Sequence, residues 1–366
     1  MTPVLSTRLD DTDIEDVPLV ARDGTRLGLR RATTASASGP AVLLLHGHTA
    51  SSDMFRVPGT RHLTDVLVDN GYEPWLLDWR GSCRLPYNHN GSRFSYDDVA
   101  VYDIPAAVDA VRARIGDRPL FVVAHCIGAL SLSMSLVAGL VPGLAGVVAQ
   151  GVFLTPKMSG TARARLTLGT ELLRTRIDHV PTDFRTVGLW SKYTPLFALS
   201  GRKQGCKDPT CRLLQNAWGL GGSLYDHGNL DPHAHDLLPE LLGPAPLWIL
   251  PHLRRVELAH AMLRWNDRDD RYRVLPENAL DRAGDIDTPL LLLSGSENKF
   301  WPGANQLCHE VLTARHPQLD VDYVEVPGYG HLDTFLGRGA ALDVFGHILD
   351  FLDRHHPAGS VKGLGA

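Results

Sequence analysis

Cys126 is the residue best placed for nucleophilic chemistry, because of the pattern around it in the segment Phe121–Ala129. An apolar strand-like run ends at Ala124, and an apolar helix-like run begins around Gly128. Small residues two positions before and after a nucleophile let a strand and a helix cross tightly around it. The pattern predicts a nucleophile elbow, in which the helix start favours a thiolate. A buried, inert cysteine is the alternative.

A second segment has the composition of an oxyanion-binding loop. An apolar strand-like run ends at Leu45 and is followed by the tetrapeptide HGHT. The glycine lets the backbone turn and present N–H groups beside a nucleophile. We expect the backbone N–H of Ile127 and that of His48, with Thr49 as the next choice, to bind a developing oxyanion.

The expected general base is His331, in the segment Pro327–Asp333. A strand-like run ends there, two glycines allow the backbone to turn, and the histidine precedes a final helix. A base that takes the proton of a nucleophile belongs at such a position. Asp333 is interpreted as structural.

Two residues are candidates for the third member of a catalytic triad. The strand-like run Leu290–Leu293 leads into Ser-Gly-Ser-Glu-Asn, which ends at Asn298. Asn298 could orient the imidazole by a hydrogen bond, as in Cys-His-Asn proteases, or Glu297 could supply a carboxylate. A cysteine that rests as a thiolate–imidazolium pair needs less help from a buried anion than a serine does.

Cys206 and Cys211 lie close in sequence, with His227, His233 and His235 downstream. These residue types could bind zinc, but the histidines lack the helical spacing of a zinc motif. We therefore expect buried thiols or a facultative disulfide, no metal, and no organic cofactor. Three tryptophans in the same region are candidates to line an apolar acyl pocket, with ordinary core packing as the alternative: Trp190, Trp218 and Trp265.

Strand-like and helix-like runs alternate on both sides of this region, which predicts an α/β fold with a mostly parallel sheet covered on both faces. Between residues 155 and 284 the sequence has no strong strand pattern and reads as an inserted, mainly helical lid. The predicted organisation is a core at 15–154 and 285–355, a lid at 155–284 and a flexible tail at 356–366. The strand-like runs are Val17–Val20, Arg26–Arg31, Ala41–Leu45, Trp75–Asp78, Leu120–Ala124, Gly146–Phe153, Pro289–Leu293 and Val321–Val326.

Composition narrows the function classes. The 366 residues are 44% hydrophobic and 21% charged, with a net charge of −5. A dedicated nucleic-acid binder would be basic, and no apolar run is long enough to span a membrane. The acidic N-terminus has no signal-peptide pattern, and an odd number of cysteines is no disulfide framework. We expect a cytoplasmic protein; the oligomeric state is not predictable.

Taken together, these motifs resemble the α/β-hydrolase superfamily, in which nucleophile, acidic position and histidine follow in this order. Longer stretches resemble one branch, the hydrolase domain associated with glucose-methanol-choline-type cholesterol oxidases. The resemblance implies an α/β-hydrolase fold with a lid and activity on hydrophobic esters. No dinucleotide fingerprint accompanies it, so an oxidase role is not implied. The stretches are His46–Phe55, Leu76–Pro86, Tyr102–Val108, Ala124–Leu136, Gly205–Arg212 and Leu224–Asp236.

The resulting hypothesis is a cysteine-dependent acyl hydrolase that acts on an ester, lactone or thioester with a hydrophobic acyl group. The reaction would use a Cys-His-(Asn/Glu) triad and a thioester acyl-enzyme. The substrate would be a small molecule, free or attached to coenzyme A or a carrier. The alternatives are an acyltransferase or cyclase with the same acyl-enzyme, and a non-catalytic protein that uses the pocket to hold a ligand.

Overall fold

The computed structural model describes residues 13–33, 38–88, 90, 92–164, 166–167, 174–183, 206–217 and 224–356. An eight-stranded sheet with the order β1-β2-β4-β3-β5-β6-β9-β10 lies at its centre. The first two pairings, β1 with β2 and β2 with β4, are antiparallel and the others are parallel. The strands are β1 (Ile14–Val20), β2 (Arg26–Ala32), β3 (Ala41–Leu45), β4 (Glu73–Asp78), β5 (Leu120–His125), β6 (Gly146–Gln150), β9 (Leu290–Gly295) and β10 (Val321–Val326).

The central strands are buried along their whole length because they are apolar and helices cover both faces of the sheet. Every residue of β3, β5 and β6 is buried, whereas the edge strand β10 is partly exposed along its length except at Val326. Continuous apolar runs are typical of parallel strands covered on both sides. Each strand-like run of the sequence overlaps a strand of the sheet, so the predicted mostly parallel α/β architecture is confirmed.

The helices follow the strands. Within the core, α2 and α3 are joined by a π-helical turn, Val99–Asp103, and every residue of α4 is buried against the sheet. The helices are α1 (Leu63–Asp69), α2 (Tyr96–Asp98), α3 (Ile104–Ile115), α4 (Ile127–Val137), α5 (Gly160–Ala164), α6 (Pro209–Ala217), α7 (Pro232–Asp236), α8 (Leu238–Leu241), α9 (Leu250–Ala259), α10 (Ala304–Arg315), α11 (Asp333–Leu336), α12 (Ala340–Asp343) and α13 (Phe345–Arg354).

The region between β6 and β9 carries α5 to α9 and one two-residue strand pair, β7 (His179–Val180) with β8 (Ala245–Pro246). The regular elements described in this region are mainly helices, and the lid and the domain boundaries proposed from sequence stay a prediction. The final helix differs from the expected single element, because a non-helical Val344 separates α12 from α13. Among the described helices, none is long and apolar enough to cross a membrane.

Candidate active site

Cys126 lies at the sharp turn between β5 and α4. Its backbone has φ 54° and ψ −121°, a conformation that non-glycine residues rarely adopt and that functional sites often hold under strain. The N–H of Cys126 donates to the carbonyl of Gln150 over 3.0 Å, which pins the turn to β6. A Cβ on Gly128 would lie 2.5 Å from the carbonyl oxygen of His46, so only glycine fits where helix and loop cross.

The structure brings the predicted base to the predicted nucleophile. The sulfur of Cys126 and a ring nitrogen each from His331 and His125 lie within 4.8 Å of one another. The ring of His331 packs on that of His125, with centroids 4.6 Å apart, and against Phe300 at 5.4 Å. On the remaining side, a Cβ on Gly151 would lie 2.7 Å from the ring, so a glycine makes room for the imidazole.

Backbone hydrogen bonds hold the loop that carries His331. The N–H of His331 donates to the carbonyl of Leu224 over 3.0 Å, and the side-chain amide of Gln150 donates to the carbonyl of His331 over 3.3 Å. The carboxylate of Asp333 accepts the N–H of Gly330 over 2.8 Å and the side-chain amide of Asn229 over 2.7 Å. These contacts agree with the structural role expected for Asp333.

Two backbone N–H groups face the sulfur. Burial raises the pKa of the Cys126 thiol, and the N–H groups of Ile127 and His48 oppose that rise because they favour the ionised sulfur. The sequence predicted the same two N–H groups as oxyanion donors, and that role stays a prediction. Thr49, the next predicted donor, has φ 59°, and its carbonyl accepts the N–H of Gly243 over 2.7 Å, which fixes the loop.

A buried ion network anchors the loop that carries His48. The carboxylate of Asp78, at the end of β4, accepts the N–H of Ser52 over 2.9 Å. Arg30 pairs with Asp53 at 2.6 Å and lies 3.7 Å from Asp78. Separating a buried ion pair is strongly destabilising, because each charge would be left buried without its partner. The network therefore holds the turn after β3 in one geometry.

Comparison with known proteins agrees with this architecture. A family profile described as alpha/beta hydrolase fold matches residues 40–162, which include the strand β3, the elbow and α4. A carboxyl esterase from Bacillus coagulans superposes with a TM-score of 0.61 at 16% identity, over 94% of this chain and 99% of that one. The chain has the α/β-hydrolase fold.

Sequence relatives are lipases. Mouse lipase member K is 23% identical over 362 residues, which cover 92% of this chain and 86% of the mouse protein. Human lipase member K is 30% identical over 129 residues, which cover 31% of this chain and only 32% of the human protein. These findings agree with the α/β-hydrolase fold of the chain. They give no support to the narrower resemblance to the domain associated with cholesterol oxidases.

The position that often holds an acid in this fold is occupied by Asn298, whose amide has other partners. Its Oδ1 accepts the N–H of Trp301 over 3.1 Å, and its Nδ2 donates to the carbonyl of Gly151 over 3.4 Å. Neither ring nitrogen of His331 has a hydrogen-bond partner among the described residues. Asn298 and the imidazole of His331 both border Gly151, and the amide makes no hydrogen bond to the ring.

Glu297, the alternative at this position, lies at the surface. Its side chain is 47% exposed and pairs with Lys299 at 3.1 Å. A carboxylate that points into solvent cannot hold a buried imidazole, so the geometry favours Asn298 over Glu297 as the neighbour of His331.

The electrostatics favour a neutral resting pair. Burial raises the pKa of the Cys126 thiol to about 11, although the N–H donors oppose the rise. Burial, and secondly the neighbouring His125, lowers the pKa of His331 well below its usual value. The resting thiolate–imidazolium pair expected from the helix start is therefore disfavoured, because both groups are almost fully removed from water, at 5% and 2% exposure.

Two aromatic residues near the sulfur escaped the sequence analysis. The indole of Trp301 is fully buried, and its Nε1 has no hydrogen-bond partner within ordinary distance among the described residues. The indole opposes the rise in the pKa of the Cys126 thiol that burial causes. The hydroxyl of Tyr96 is also buried without a partner in the described part of the chain, and its charge interaction is with Cys126. The position of Trp301 shortly after Asn298 is the one sequence signal that could have pointed to Trp301. No motif pointed to Tyr96.

The predicted pocket tryptophans are only partly testable, since Trp190 and Trp218 lie outside the described residues. Trp265 lines a surface cleft of about 990 Å³ together with Trp248. Its ring stacks on His252 at 5.4 Å, and His252 packs on Tyr96 at 5.0 Å. His252 and Tyr96 thus separate Trp265 from the nucleophile, and a role in substrate binding stays a prediction.

Proposed function

We propose that this protein is an acyl hydrolase of the esterase and lipase type in which Cys126 is the nucleophile. One observation carries the proposal: Cys126 occupies the strained tip of the elbow, with the N–H groups of Ile127 and His48 on its sulfur and a nitrogen of His331 within 4.8 Å. This arrangement has the three parts that acyl transfer needs: a nucleophile, a base and oxyanion donors.

The reaction proceeds through a thioester. Cys126 Sγ attacks the carbonyl carbon while the thiol proton passes to His331. The resulting oxyanion accepts hydrogen bonds from the two backbone N–H groups. The bond to the leaving alcohol or thiol then breaks, and the proton on His331 goes to that leaving group. Water attacks the thioester, gives its proton to His331, and releases the acid as Sγ regains the proton. Each oxyanion donor typically lowers the activation free energy by about 2.7–4 kcal/mol.

A neutral resting pair makes His331 a general base rather than a permanent counter-ion. With a thiol pKa of about 11, little thiolate exists at neutral pH before substrate binds. Attack therefore requires proton transfer in the same step, and the depressed pKa of His331 keeps the imidazole neutral and able to accept.

The surroundings support a hydrophobic acyl substrate. Ile127, Phe300 and Trp301 are buried and lie next to the nucleophile or its base. The named relatives are lipases and the fold neighbour is a carboxyl esterase. Because thiolate is also a good leaving group, activated esters, lactones and thioesters suit this nucleophile better than amides.

The test is acylation of the full-length protein by a panel of acyl thioesters and p-nitrophenyl esters, followed by intact mass and product release. We expect a transient acyl adduct with turnover, and loss of both in Cys126→Ala. Cys308→Ser is the matched control, because Cys308 is fully buried and burial raises its thiol pKa to about 11 as well. The proposal would be contradicted if Cys126→Ala still formed the acyl adduct, or if substrate were turned over without any acyl adduct.

A second candidate is an acyltransferase or cyclase, favoured by the burial of both Cys126 and His331. Exclusion of water would let an alcohol or amine win the second step. An adduct that persists in water and is discharged by an added alcohol or amine would select it. Absence of any adduct across the panel would instead favour the non-catalytic ligand-binding alternative.

The cytoplasmic setting remains a prediction. All five cysteines are free thiols: Cys83, Cys126, Cys206, Cys211 and Cys308. Free thiols in proximity are typical of a reducing compartment. Cell fractionation of the native protein would test this, and recovery outside the cytoplasm would contradict it.

A further inference from the structure

Four metal-binding side chains converge in the region between β6 and β9. They are Cys206, Cys211, His227 and His235, here named the lid cluster, and one ligand atom of each lies within 4.8 Å of the others. Cys206 precedes α6, Cys211 lies on that helix, His227 lies on the following loop, and His235 lies on α7. Because the loop brings His227 into position, a helical histidine spacing is not needed, and the lack of that spacing in the sequence does not exclude a metal.

The ligand atoms have the chemistry and separation of a tetrahedral zinc site. Two thiolates and two imidazoles form one of the usual structural zinc sets. With Zn–S and Zn–N bonds of about 2.3 and 2.0–2.1 Å, tetrahedral geometry places sulfur and nitrogen roughly 3.6 Å apart. Cys206 Sγ lies 3.6 Å from His235 Nε2.

Polar groups behind the ligands complete the site. The carboxylate of Asp236 lies 3.8 Å from Nδ1 of His235, on the side of the ring opposite the cluster. A carboxylate on the far nitrogen of a ligating histidine orients the ring and strengthens its basicity. Asp208 accepts the N–H of Cys211 over 2.8 Å, and the hydroxyl of Tyr225 donates to Cys211 Sγ over 2.9 Å.

The cluster is continuous with the loop that positions His331. The carbonyl of Leu224, three residues before His227, accepts the N–H groups of His331 at 3.0 Å and Leu332 at 3.1 Å. The side chain of Gln215 on α6 accepts the N–H of Leu224 over 2.8 Å. A bond between α6 and His227 would therefore fix the segment on which the His331 loop rests.

We propose that the lid cluster binds one Zn²⁺, which ties α6 and α7 to the segment that supports the His331 loop. The role is structural, because all four ligands come from the protein and fill a tetrahedral set. It does not depend on whether Cys126 is the nucleophile.

The first test measures metal content in full-length protein produced with added zinc. We expect one zinc per chain in the wild type and loss of it in Cys211→Ser and in His235→Gln. His233→Gln is the matched control, because His233 is an exposed neighbour on α7 outside the cluster. Replacement of zinc by Co²⁺ should give the thiolate-to-cobalt band and the visible spectrum of a tetrahedral site.

Ligand variants could fail to fold, so two further measurements use folded protein. Removal of zinc from the wild type with a chelator should lower the melting temperature, and added Zn²⁺ should restore it. Asp236→Asn, which keeps every ligand, should weaken zinc binding about 10–100-fold.

Three results would overturn the proposal. The first is wild-type protein that has no stoichiometric zinc and takes up no cobalt. The second is a mass two daltons below that of the reduced chain with Cys206 linked to Cys211, which would establish a disulfide. The third is equal loss of zinc in His233→Gln and His235→Gln.

Discussion

Two clusters of cysteine and histidine lie in the described part of the chain, and they are built for opposite uses. The nucleophile cluster, His125, Cys126 and His331, has one thiol at a strained turn with two backbone N–H groups on its sulfur. The lid cluster has two thiols and two imidazoles, backed by carboxylates.

The difference shows that residue type alone does not decide what a thiol does. At the elbow, N–H groups can stabilise negative charge as it develops, while burial keeps the resting thiol neutral. In the lid cluster, burial raises the pKa of the Cys211 thiol to about 12, a rise that a bound cation would oppose. Backbone geometry and nearby charge thus separate a nucleophile from a metal ligand.

Replacing one histidine of each cluster with glutamine should give the largest change in activity and metal content, and it tests this contrast directly. We expect His331→Gln to lower kcat/KM about 10²–10⁴-fold, the usual contribution of a general base, and to keep its zinc. His235→Gln should lose zinc but still acylate Cys126 when assayed well below its melting temperature. Metal content and burst-phase acylation of both variants are the measurements. If His235→Gln kept zinc and blocked acylation as strongly, the contrast would fail.

The core and the elbow were predictable because their signals are local. β5, Cys126 and α4 are consecutive in sequence, and the small residues around the nucleophile report the tight crossing directly. The strands were recognisable from apolar runs that end at glycine or polar residues. The resting charge state does not follow from the local motif, because the burial that raises the thiol pKa of Cys126 and lowers the pKa of His331 arises only when distant segments pack over them.

Other parts of the site depend on contacts that sequence does not show. Asn298 was expected to face His331, but its Oδ1 accepts the N–H of Trp301 instead. Tyr96 comes from a different part of the chain, after β4, and carries no motif. The residue types of the lid cluster were recognisable in the sequence, but their irregular spacing does not show that a loop returns His227 to Cys211.

Crowding at the elbow can be tested by a single methyl group. Gly128→Ala would place a Cβ 2.5 Å from the carbonyl oxygen of His46, so the free energy of unfolding should fall by about 1–3 kcal/mol. Gly346→Ala, on α13 with nothing within 4 Å of the added Cβ, should instead raise it by about 0.8–1 kcal/mol. Urea denaturation of both variants is the measurement. Equal changes would show that the nucleophile cluster is not fixed by backbone packing.

A carboxylate placed beside His331 should make the nucleophile cluster more like the lid cluster. In the wild type His331 must be neutral to accept a proton, and its pKa lies well below the usual value, so activity should rise through that low pKa and level off. Asn298→Asp adds an anion that favours the protonated ring, which moves the acidic limb to higher pH by about one unit. The N–H of Trp301 would help keep the new carboxylate ionised.

The measurement for Asn298→Asp is kcat/KM between the acidic limb and neutral pH, where about a tenfold loss is expected only on the acidic side. Glu297→Gln is the control, because its side chain lies at the surface and pairs with Lys299. An acidic limb that stays in place, or moves to lower pH, would show that position 298 does not sense the charge of His331.

The smallest effect should come from Trp301→Phe, which removes the indole N–H and keeps an aromatic ring. That N–H lowers the pKa of Cys126, so its loss should raise the pKa further above the usual value and slow alkylation by iodoacetamide at a fixed pH. A neutral hydrogen bond contributes about 0.5–1.5 kcal/mol, which corresponds to a few-fold change in rate. Trp75→Phe is the matched control, since its indole N–H is also buried without a partner in the described residues, but on β4. If both variants slowed alkylation equally, the indole of Trp301 would act only through packing, and the sulfur would depend on the backbone N–H groups alone.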